Sequence, residues 1–172
     1  MTKRGQVWVE TVIYTLMGLA IIGILLSVSR PKIEEMKDKL VIEQTIESLN
    51  AISNKIYEVQ IAPGNKRVLS LKVTKGTFYI NSSANKIGWV VESNYKYSEF
   101  DSVVPLGNME IVTRDGNPYM VHITMNYGIN ITYNDKEDYV KFEGSPSPYD
   151  LIVENMGPSS GSNVARIDLS IS

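Results

Sequence analysis

The sequence predicts an α+β protein: one long N-terminal α-helix, then an antiparallel β-sandwich-like head. Three observations carry that expectation. From Thr11 to Ser29 no residue is charged, and most are Val, Ile, Leu, Met, Ala or Gly. Beyond Arg30 the apolar residues return at a helical period on one face only. After a breaker cluster at Ala62-Pro63-Gly64-Asn65 the pattern changes to the two-residue alternation of strands.

The first element is bracketed by Glu10 and Arg30. About 20 apolar residues rising ~1.5 Å each match a hydrocarbon core of about 30 Å, so residues 6–30 read as a single membrane span. Lys3 and Arg4 precede it, which by the positive-inside rule puts the N-terminus in the cytoplasm and the rest of the chain outside. The apolar run is longer than the ~7–15 residues of a secretory signal and ends at Arg30-Pro31 without an A-x-A-type cleavage site. Trp8 and Tyr14 are placed as interfacial anchors. Gly18, Ala20 and Gly23 are small, and Gly23 with Ser27 has the small-xxx-small spacing that lets helices approach closely in lipid.

Residues 31–62 continue as an amphipathic helix, with a kink expected at Pro31. Ile42, Leu49 and Ile56 recur every seven residues, and Ile46, Ile52 and Val59 fall on or beside the same face. Glu43, Glu47, Ser48, Asn54 and Lys55 lie largely away from it. The whole helix is expected over Gln6 to about Ile61.

Residues 63–172 read as strands. Leu69, Leu71 and Val73 alternate with polar neighbours, and Thr74-Lys75-Gly76 can turn into Phe78 and Ile80. Ile87, Trp89 and Val91 form a further run, as do Met109 and Ile111. Asp115-Gly116 is a strong turn signal. After it Val121, Ile123 and Met125 face one way, and Met120, His122 and Thr124 the other. Ile129, Ile131 and Tyr133, then Tyr149 to Val153, and finally Ala165, Ile167, Leu169 and Ile171 complete the set, with Gly157 to Ser162 as a loop. Short strands at regular spacing indicate a sandwich or barrel.

Chemistry is sparse. The 172 residues carry a net charge of −2, without the basic excess of a nucleic-acid binder. There is no cysteine and one histidine, His122, on a polar strand face, so no His/Cys metal cluster can form. No nucleophile elbow, P-loop or dinucleotide fingerprint is present, and neither an enzyme nor a cofactor is expected. Asn134 to Asp138 offers Asp135, Glu137 and Asp138 but lacks the spacing and glycine of an EF-hand loop, and reads as a solvated turn. Two triplets, Asn81-Ser82-Ser83 and Asn130-Ile131-Thr132, have the form of N-glycosylation acceptors. Asn130 is expected to face outward, because Ile129 and Ile131 point the other way.

Lys3-Arg4-Gly5, Gln6, Glu10 and the apolar run resemble an archaeal type IV pilin-like precursor with a class III signal peptide. The resemblance covers about the first 30 residues. It implies a leader, residues 1–5, removed by a prepilin-type peptidase between Gly5 and Gln6. The family's carboxylate is the fifth residue of the mature chain, and Glu10 holds that place. Cleavage would create an α-ammonium at Gln6, and the Glu10 carboxylate of one subunit could pair with that of a neighbour when the helices bundle. Pairing makes a buried charge tolerable and favours one axial register. The resemblance thus implies a homo-oligomeric, extracellular filament subunit for adhesion or motility, held in the membrane before assembly, and a surface on which glycosylation is common. The alternative is an uncleaved single-pass anchor carrying a binding or adhesion ectodomain.

Overall fold

The computed structural model describes residues 3–158 and 164–172, with side chains from Val7 onward. It divides into two compact units, residues 1–37 and 38–172. The class is α+β: the described residues form one α-helix, α1 (Lys3–Val59), and then ten strands with a 3-10 turn among them. α1 runs through Pro31 as one continuous helix. A ring at this position removes one backbone donor, yet the chain remains helical on both sides.

The helix ends at the breaker cluster for a specific reason. Gly64 takes φ +82, which suits glycine, and its N–H donates to the Asn155 carbonyl at 2.7 Å. Asn155, only 2% exposed, donates from Nδ2 to the Val59 carbonyl at 2.9 Å and accepts from the Gly157 N–H at 2.9 Å. One buried amide therefore satisfies a terminal helix carbonyl that α1 itself cannot.

The strands are β1 (Lys66–Leu71), β2 (Thr77–Asn81), β3 (Lys86–Ser93), β4 (Val103–Leu106), β5 (Met109–Arg114), β6 (Tyr119–Asn126), β7 (Asn130–Tyr133), β8 (Tyr139–Glu143), β9 (Tyr149–Pro158) and β10 (Ala165–Ile171). They form a six-stranded antiparallel sheet, β4-β5-β6-β3-β2-β8, and a four-stranded sheet, β1-β9-β10-β7, in which β7 and β10 run parallel. β1 and β2 do not form the hairpin that Thr74-Lys75-Gly76 invites. They lie in different sheets, and this connection carries the chain from one to the other. Gly157 and Pro158 belong to β9, and the rest of the expected Gly157–Ser162 loop lies outside the described residues.

The inward faces of both sheets and one stripe of α1 share a single core. Ile42, Leu49, Ile52, Ile56 and Val59 of the helix are fully buried there. Phe78, Trp89, Ile111 and Ile123 of the six-stranded sheet meet Ile131, Val153 and Leu169 of the other in the same cluster. Phe142 of β8 joins the two sheets, with ring centroids 5.8 Å from Tyr133 and 5.7 Å from Tyr149.

Candidate functional site

The residues with the sharpest expected roles lie in the unit of residues 1–37. Gly5 and Gln6 are in the first turns of α1 by backbone, and the side chain of Gln6 lies outside the described residues. From Val7 to Val28 every large apolar side chain is exposed, by 38–71%. An 18-residue window here has a mean hydropathy of 2.3, with none of it buried. By length and composition this helix can cross a membrane.

Three of its hydroxyls are already satisfied within the helix. Thr11 Oγ1 donates to the Val7 carbonyl at 2.9 Å, Thr15 Oγ1 to Thr11 at 2.8 Å, and Ser27 Oγ to Ile24 at 2.8 Å. Hydroxyls spent in this way cost little in hydrocarbon. Glu10 is different: it is exposed, and it has neither an ion-pair nor a hydrogen-bond partner among the described residues.

A Cβ added at Gly18 or Gly23 would meet nothing within 4 Å, so packing within this chain does not require either glycine. At ~100° per residue, Ala20, Gly23 and Ser27 fall within about 60° of one another and form one small-residue face. Gly18 falls on the opposite side and is not part of it.

In the unit of residues 38–172 the structure reveals a polar site that the sequence does not announce. Asp38 is 6% exposed and lies at the start of that unit. Its Oδ2 accepts from the Asn94 N–H at 2.7 Å and from Asn94 Nδ2 at 2.9 Å, and its Oδ1 pairs with the Lys75 ammonium. Burial pushes its pKa up, but the Asn94 hydrogen bonds and Lys75 outweigh that and hold it below the ordinary carboxylate value. Beside this site a groove of about 390 Å³ runs between α1 and the connection from β1 to β2, lined by Gln44, Ser48, Lys72 and Trp89 among others.

The remaining sequence-selected residues are dispersed. His122 lies on the outer face of the six-stranded sheet, where burial, and then the charge of Arg114, lower its pKa. In the turn at Asn134–Asp138, Asp135 pairs with Arg166 Nη1 at 2.9 Å. Asp168, from β10, accepts from Thr132 Oγ1 and from the Asp135 N–H, both at 2.7 Å. No group of three or more His, Cys, Asp or Glu suited to a metal occurs among the described residues. Asn81 closes β2, and Asn130 opens β7. No protein-family model, curated protein or solved structure matches this chain.

Proposed function

We propose that this chain is the structural subunit of an extracellular type IV pilus-like filament, cut by a prepilin-type peptidase between Gly5 and Gln6 and polymerised through α1. One observation carries the reading. The apolar surface of residues 7–28 is uncovered in this chain, and it contains a single carboxylate, Glu10, the fifth residue of the proposed mature chain. Lipid can cover the apolar surface before assembly and neighbouring helices can cover it afterwards. The carboxylate gains only in the second setting, where a neighbour's α-ammonium meets it.

The test is Glu10→Gln. Glutamine is nearly isosteric and enters lipid more easily, so insertion and cleavage should continue. Breaking a buried ion pair from one side costs roughly 3–5 kcal/mol, and the loss recurs at every subunit. Filament yield should collapse while processed monomer accumulates in the membrane. Normal filaments from the variant would remove Glu10 from assembly. A wild-type chain that is never cut and never polymerises would instead identify a single-pass anchor carrying an ectodomain.

A further inference from the structure

The two glycosylation-type triplets are not equivalent once folded. We infer that Asn81 is the residue of this protein that carries an N-linked saccharide and that Asn130 is not modified, an inference that rests on the β unit facing outward. A transferase reads the asparagine together with the hydroxyl two residues on. At the first triplet that hydroxyl belongs to Ser83, which is exposed. At the second it belongs to Thr132, which is 4% exposed and donates to Asp168 Oδ1 at 2.7 Å.

The backbones differ in the same sense. Residues 130–132 lie in β7, laddered in parallel to β10, and on the other edge the Ile131 N–H donates to Asn85 Oδ1 at 2.9 Å. Asn81 stands at the end of β2, where the chain leaves the sheet into a single 3-10 turn, Ser82–Ala84. Its Oδ1 accepts from the Ala84 N–H at 3.3 Å, and its amide nitrogen has no partner among the described residues. Directly opposite Asn81 is Tyr139, 50% exposed, whose ring centroid lies 5.8 Å from that of Tyr79. The two rings are tilted by 46°, and the Lys141 ammonium lies over the Tyr139 ring at 5.4 Å from its centroid.

In the transfer, the Asn81 amide nitrogen bonds to the anomeric carbon of a lipid-phosphate-linked oligosaccharide. The bond from that carbon to the phosphate oxygen breaks, its electron pair leaves with the phosphate, and the amide gives one proton to a base of the membrane transferase.

The test is mass spectrometry on the full chain isolated from its native membrane. Trypsin separates the sites, because Lys75 and Lys86 flank peptide 76–86 while Arg114 and Lys136 flank peptide 115–136. Peptide 76–86 should carry the saccharide, and peptide 115–136 should have its bare mass. Asn81→Gln should remove the whole added mass, and Asn130→Gln none of it. Ser83→Ala, at an exposed position without a structural bond, should remove it as completely as Asn81→Gln while leaving the fold intact. A bare peptide 76–86, or a saccharide on 115–136, overturns the inference. External protease on intact cells reads the other premise separately: a β unit that is protected there overturns the outward topology.

Discussion

Replacing Asp38 by Asn is the most direct test of how the β unit is fastened to the helix residues within it. Asparagine keeps the shape and one acceptor but removes the charge that Lys75 and Asn94 address. Hydrogen bonds to a charged group contribute about 1.5–3 kcal/mol each. Asn94 is exposed and the Lys75 side chain is 36% exposed, so water replaces part of what is lost. The expected loss near pH 7 is ~1–2 kcal/mol. Because the folded pKa is depressed, this contribution is fully present above the unfolded value, about 4. It disappears as pH falls through the still lower folded value, where the carboxyl is protonated in both states. The stability gap between wild type and Asp38→Asn should therefore be constant from pH 7 to about pH 5 and close below pH 4. Urea unfolding in detergent, followed by Trp89 fluorescence in a Trp8→Phe background, reads the gap, since the chain has two tryptophans and Trp89 is buried beside Lys75. Equal stability at neutral pH, or a gap that widens in acid, would refute the assignment of Asp38 as a charged anchor.

N-terminal sequencing of protein from the native membrane should begin at Gln6. Loss of Lys3 and Arg4 then takes the formal charge from −2 to −4, visible as an acidic shift on isoelectric focusing. Asn155→Ala should cost ~2–4 kcal/mol in denaturant unfolding, since it leaves the Val59 carbonyl and the Gly157 N–H without the buried amide that serves both. Gly88→Ala should cost ~2–3 kcal/mol, because a Cβ there runs into the Tyr79 phenol and lies 2.7 Å from the Ile123 carbonyl oxygen. A chain starting at Glu34 should be soluble and β-rich and remain monomeric by light scattering.

The parts legible in the sequence are those set by local periodicity. Ile42, Leu49 and Ile56 announced the buried stripe because seven residues return a helix to within about 20° of the same direction. Val121, Ile123 and Met125 likewise announced the inner face of β6. β4 and β8 were hidden, the first by its length and Pro105, the second by the charged turn at Asn134–Asp138 just before it. The parallel pairing of β7 with β10 was not legible, because it joins residues such as Thr132 and Asp168, 36 positions apart. Asp38 reads as one more charge in "KDKL". Its burial comes from Lys75 and Asn94, 37 and 56 residues further on, which no local window contains. Between the two acceptor triplets, alternation favoured Asn130 as outward-facing. What it could not register was the burial of Thr132.

The two halves of α1 pose one energetic problem with two solutions. In the unit of residues 38–172 the helix isoleucines at positions 42, 52 and 56 are fully covered by the chain's own strands. In the unit of residues 1–37, fifteen large apolar side chains from Val7 to Val28 remain exposed. At about 1.5–3 kcal/mol for burial of each, leaving them in water forgoes on the order of 20–40 kcal/mol. That exceeds the ~5–15 kcal/mol by which a typical domain is stable. Such a segment must be covered by something else, and lipid or a bundle of like helices would serve equally for its apolar atoms. Only Glu10 tells the two apart. In lipid it is a cost that confines it to the interface. In the bundle of processed helices that we propose, it would meet an amine, and the same residue would fix the register of its neighbours.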